Sequence, residues 1–109
     1  ERESVKYKQA EYMADRIGDS FSGVVTGVSK WGIFVEIDEI KAEGLVRMKE
    51  IGSDFFYLDE DNYCVIGYRT QKEIRLGDRV LVQVIAVDLS KKQLDFRLIQ
   101  HLENKKIEE

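Results

Sequence analysis

The 109-residue chain reads as an all-β domain, a five-stranded barrel with a helix before it and a long aromatic insertion between its third and fourth strands. Three observations predict this. Five runs rich in β-branched and aromatic residues are separated by glycine or by acidic clusters. One connection between runs is far longer than the others and carries most of the tyrosines. The leading segment has no glycine or proline and repeats apolar residues near helical spacing.

That leading segment runs from Ser4 to Ile17, with Val5, Tyr12, Met13 and Ile17 as its apolar face and Gly18 as its stop. The five strands are expected at Phe21–Ser29, Trp31–Ile37, Leu45–Met48, Arg79–Val87 and Gln93–Ile99. The last shows the cleanest alternation, Leu94, Phe96 and Leu98 against Asp95 and Arg97, as one buried and one wet face require. Only Leu-Ser-Lys-Lys separates Asp88 from Gln93, a hairpin length that makes the last two strands antiparallel neighbours. Gly52 to Asp78 is too long for a structureless loop in a compact domain. A small hairpin is expected there, Phe55 to Leu58 pairing with Tyr63 to Ile66. Five short strands with the long connection after the third fit an OB-fold, whose second and third strands form the usual binding face. The domain is expected over 19–99, with 1–18 as a linking helix and 100–109 as a charged tail.

Composition narrows the function classes. At 43% hydrophobic residues the chain can bury one core. No apolar run approaches the roughly 20 residues of a membrane span, and no leader opens the chain, so a soluble, cytoplasmic, monomeric protein is expected. The chain begins at Glu1, which leads us to expect a piece of a longer protein. One cysteine, Cys64, and one histidine, His101, cannot make a disulfide or a cysteine–histidine zinc site. Cys64 reads as a half-buried strand residue. Asp59, Glu60 and Asp61 lack the glycine and closing glutamate of a calcium loop and read as a solvated turn. No catalytic, cofactor or metal constellation is found. A net charge of −4 argues against a generally basic nucleic-acid-binding surface, so any such site must be a local positive patch.

On the second strand, strict alternation places Ile33, Val35 and Ile37 on one face and Phe34 and Glu36 on the other, leaving Trp31 with the buried set. A bulge at Gly32 would rotate Trp31 onto the face of Phe34. Without it only Phe34 remains on that face; the alternative is that both rings are simply core. On the third strand Val46 and Met48 share one parity, and Arg47 faces away from the core.

The order Trp31-Gly32-Ile33-Phe34-Val35, Gly44-Leu45-Val46-Arg47-Met48, Gly77-Asp78-Arg79-Val80 and Val84-Ile85-Ala86-Val87-Asp88 resembles the S1 RNA-binding domain. The resemblance covers Gly18 to Ile99. Asp54-Phe55-Phe56-Tyr57, Gly67-Tyr68-Arg69-Thr70 and Lys8-Gln9-Ala10-Glu11-Tyr12-Met13 narrow it to the C-terminal domain of the ribonuclease R and ribonuclease II exoribonucleases. It implies single-stranded RNA as partner, and a preceding magnesium-dependent catalytic domain that degrades RNA 3′ to 5′. It also implies that Trp31 and Phe34 meet bases, which sequence-tolerant stacking requires. Where this family usually has histidine, the chain has Arg47, which can stack and hold phosphate but loses a pH response near neutrality. Asp88 and Lys92 stand where the family has an aspartate and, four residues on, usually an arginine; lysine keeps the charge without the fork. Asp88 can equally be a turn former. Lys30, Lys49, Arg79 and Lys91 are candidates for the surrounding field. Two other readings stay open: an RNA-binding module of a translation- or transcription-associated protein, and a protein-interaction barrel.

Overall fold

In a computed structural model of the chain, which describes residues 2–102, strands dominate after a single helix, α1 (Arg2–Ala14). The barrel is built from β1 (Ser20–Ser29), β2 (Gly32–Ile37), β3 (Glu43–Arg47), β7 (Arg79–Asp88) and β8 (Gln93–Leu102). They pair in the order β1-β2-β3-β8-β7, and β7 returns to β1, so the sheet closes. Every pairing is antiparallel except the short parallel contact of Leu45 and Val46 with Asp95 and Phe96. Between β3 and β7 lie a 3-10 turn, Met48–Glu50, and a three-stranded sheet of β4 (Phe56–Asp59), β5 (Cys64–Gly67) and β6 (Glu73–Arg75).

The core follows strand parity. Ile33, Val35 and Ile37 of β2, Val46 of β3, Val80, Val82 and Val84 of β7 and Phe96 of β8 are wholly buried. Burying each aliphatic side chain is worth about 1.5–3 kcal/mol, so this interior, rather than the marginal 13-residue helix, carries the stability. Gly44 leaves the space that the Phe96 ring occupies: a β-carbon there would come within 2.6 Å of it. The barrel's long strands bend through register shifts in β1 between Val25 and Gly27 and in β7 between Val84 and Ala86.

Several boundaries differ from the sequence reading. The helix ends at Ala14, and a turn carries the chain to Gly18, whose φ of 100° and N–H bond to the Val84 carbonyl (2.8 Å) set the entry into β1. The helix is anchored by Ala10 and Met13, while Val5 and Ile17 are exposed, because α1 lies on the barrel along a narrow stripe. Met48 leaves the strand for the 3-10 turn. The hairpin forms one residue later than expected, with Phe56 opposite Gly67, and gains β6 as a third strand. Cys64 is wholly rather than half buried, and burial pushes its thiol pKa up. Gln100, His101 and Leu102 extend β8 instead of opening a tail, because they pair with Leu81, Val80 and Arg79. His101 there meets Asp78 at 2.8 Å. The rest of the expected tail, 103–109, lies outside the described residues. No helix among the described residues is long and apolar enough to cross a membrane.

Candidate nucleic-acid interface

Trp31 does not lie in β2. It occupies the two-residue turn Lys30-Trp31 between Ser29 and Gly32, which pair with each other. The expected bulge at Gly32 is absent; the extra residue is Thr26 on the neighbouring strand. Gly32 acts differently. Its φ of 151° reverses the chain at the strand's edge, and it packs so closely on β3 that a β-carbon would fall 2.0 Å from the Val46 carbonyl oxygen. Glycine is the residue that accepts both conditions.

The backbone of Trp31 is held from two sides: its N–H donates to Ser29 Oγ (3.2 Å) and its carbonyl accepts from the Met48 N–H (3.0 Å). The ring is left 65% exposed, with Lys30 Nζ 5.1 Å from its centroid, a cation–π distance. Phe34 stands on the outer face of β2, flanked by Gly27 of β1 and Leu45 of β3. A β-carbon on Gly27 would be 3.3 Å from the Phe34 ring, so the missing side chain gives that ring its seat. Phe34 is half-buried; the exposed fraction belongs to the groove.

Trp31, Phe34, Arg47 and Lys92 all line one open groove of about 740 Å³ across β2, β3 and the β7–β8 turn. That volume lies within the roughly 300–1,000 Å³ of ordinary ligand clefts. Five cations line it, Lys6, Lys30, Arg47, Lys49 and Lys92, against two carboxylates, Glu43 and Asp95. A chain of net charge −4 therefore concentrates positive charge at its two groove aromatics. Outside the groove, three arginines are paired with carboxylates: Arg75 with Glu73, Arg79 with Asp38 and Arg97 with Glu50.

Asp88 stands apart from the four. It lies outside the groove lining, and its carboxylate accepts from the Ser90 hydroxyl (2.9 Å) and the Lys91 N–H (3.1 Å). These bonds hold its carboxyl below the usual carboxylate range and make it the turn former of the β7–β8 hairpin. Lys91 and Arg79 are likewise away from the groove lining, whereas Lys30 and Lys49 are in it.

Three groove residues escaped the sequence reading. Asp95 was legible only as a wet-face residue of β8; the parallel contact with β3 brings it to Arg47, Nη2 to Oδ2 3.7 Å. Glu43 takes a hydrogen bond from Thr26 Oγ1 (2.6 Å), the residue extruded by the β1 register shift. Lys6 arrives from α1. No local signal marks any of these, since each depends on a pairing between distant segments.

A closed barrel whose outer face joins aromatic rings to a positive groove is the architecture of an oligonucleotide-binding module. The chain belongs to the S1 RNA binding domain family, whose model matches residues 14–98. Among individual proteins, it is 44% identical over 103 residues to ribonuclease R of Aquifex aeolicus, and 40% identical over 96 residues to that of Thermotoga maritima. These matches cover 94% and 88% of this chain but only 15% and 13% of the two relatives. The solved structure of Mycoplasma genitalium RNase R in complex with ribose methylated single-stranded RNA superposes with a TM-score of 0.84 at 28% identity, over 90% of this chain and 15% of that one.

Proposed function

We propose that the groove of Trp31, Phe34, Arg47 and Lys92 holds single-stranded RNA for a 3′-to-5′ exoribonuclease of the ribonuclease R type, whose catalytic domain lies outside these 109 residues. The observation that carries this reading is the gathering of two accessible rings and five cations in one groove of an acidic chain. In this reading bases stack on Trp31 and Phe34, each contributing about 1–3 kcal/mol. Arg47 exchanges its long, solvent-exposed contact with Asp95 for a backbone phosphate, at little cost because such surface pairs are worth about 0–1 kcal/mol. Lys92 supplies a second phosphate charge from the hairpin turn. Asp88 shapes that turn and acts on RNA through the position of Lys92. Among the described residues no three His, Cys, Asp or Glu side chains gather as metal ligands. The magnesium expected of the parent enzyme belongs, in this reading, to the catalytic domain.

Stacking needs unpaired bases, whereas a duplex hides their faces. Trp31 is the chain's one tryptophan, so its fluorescence reports on the groove alone. Titration with unpaired RNA should quench it, and the same sequence as a duplex should leave it nearly unchanged; equal responses to both would refute stacking. With Arg47 and Lys92 as the two phosphate contacts, the slope of log K against log salt should be about −1.4.

A further inference from the structure

We propose that RNA leaving the stacking groove continues into a second cleft under α1, where Lys6, Lys41 and Lys92 hold a backbone phosphate. The proposal rests on the groove reading above and extends it to helix α1. The second cleft, about 250 Å³, lies between α1 and the barrel, and it shares Lys6, Glu43, Lys92 and Leu94 with the groove, so the two are continuous. Its remaining lining is Gln9 and Ala10 of the helix, Glu36 of β2 and Lys41 of the β2–β3 loop.

Size and chemistry choose the occupant. The volume falls below the roughly 300 Å³ at which ligand clefts for whole small molecules begin, and no aromatic side chain lines it. A further stacked base is therefore disfavoured, and three lysines against the two carboxylates Glu36 and Glu43 leave a net positive charge that suits a single phosphate. Lys41 and Lys92 form no ion pair among the described residues. Both also sit in the left-handed backbone region, with φ of 59° and 55°, which fixes where each turn presents its side chain. The Lys41 turn is closed by Ile37 N–H to the Ala42 carbonyl (2.7 Å) and Lys41 N–H to the Ile37 carbonyl (2.8 Å). The cleft's far wall is tied down by Gln9 Nε2, which donates to the Ile40 carbonyl at 3.1 Å and docks α1 on that same loop. Lys6, Gln9 and Ala10 lie outside residues 14–98, so this cleft adds to the family's domain rather than belonging to it.

The test uses Lys41→Asn, since Lys41 lines only the second cleft and asparagine tolerates the left-handed backbone. For an unpaired RNA of about ten nucleotides, within the site sizes of such barrels, the salt slope should become shallower by about 0.7, the value of one single-strand phosphate contact. A dinucleotide, too short to reach both clefts, should bind the variant and the parent alike. A slope for the longer RNA equal to the parent's overturns the subsite, as does an equal loss for the dinucleotide. Trp31→Ala, measured in parallel, reports on the stacking groove separately: if it leaves affinity unchanged, the groove reading fails and the continuous path fails with it.

Discussion

Gly32→Ala places one methyl group where the structure leaves no room for it. The perturbation has two parts. A residue with a side chain held in the positive-φ region costs about 1–3 kcal/mol, and the φ here is 151°. In addition the new β-carbon would lie 2.0 Å from the Val46 carbonyl oxygen and 2.9 Å from the Arg47 α-carbon, both backbone atoms that cannot swing aside. The β2–β3 pairing must then open by more than an ångström at Gly32–Arg47, the edge that also anchors the Trp31 carbonyl through Met48. Strain of this kind brings the total above about 3 kcal/mol, a large share of the roughly 5–15 kcal/mol that stabilises a domain. Gly18→Ala is the matched control. Its φ is 100°, yet a β-carbon there meets nothing within 4 Å, so it should lose only the backbone part. Urea unfolding followed by circular dichroism, which does not depend on the Trp31 environment, gives both values. A Gly32→Ala loss no greater than that of Gly18→Ala would refute the close-approach argument.

Two further outcomes follow from the side-chain network. Asp95→Asn removes the carboxylate facing Arg47 and lessens the repulsion of phosphate, so unpaired RNA should bind tighter, by up to about fivefold for a pair worth at most about 1 kcal/mol; weaker binding would show that Asp95 orients Arg47 productively. Asp54 accepts from Thr70 N–H (2.8 Å), Arg69 N–H (3.0 Å) and the Thr70 hydroxyl (2.9 Å), which lower its pKa to about 2. Because the folded value is depressed, its contribution to the three-stranded sheet is complete above the ordinary carboxylate pKa of about 4 and is lost as pH falls through about 2. Carboxyl NMR should show that low midpoint, and a midpoint near 4 would contradict the bonding.

What the sequence revealed and what it hid divide along local and non-local lines. Strand parity is local, and it was enough to place Ile33, Val35, Ile37, Val46 and Phe96 inside and Phe34 and Arg47 outside. The hairpin length between Asp88 and Gln93 was likewise local and led directly to the β7–β8 pair. Trp31 was expected to reach the groove by a bulged strand; it arrives from a turn, because Gly32 reverses the chain through its positive φ instead of adding a residue. Asp88 reads both as a site residue and as a turn former, and its hydrogen bonds to Ser90 and Lys91 show the second role. Lys6, Glu43 and Asp95 join the groove only through helix docking, a bulge on β1 and a two-residue parallel contact. His101, read as a lone residue in a tail, meets Asp78 because β8 runs on to Leu102.

The central claim is that Trp31 and Phe34 form a stacking platform rather than part of the core. Trp31→Ala combined with Phe34→Ala, measured by equilibrium binding of a short unpaired RNA alongside urea unfolding, tests it most directly. Losing two stacked bases at about 1–3 kcal/mol each should weaken binding at least thirtyfold, whereas stability should fall only modestly, through the half of Phe34 that packs against Gly27. A large loss of stability with affinity per folded molecule unchanged would contradict the account and return both rings to the core.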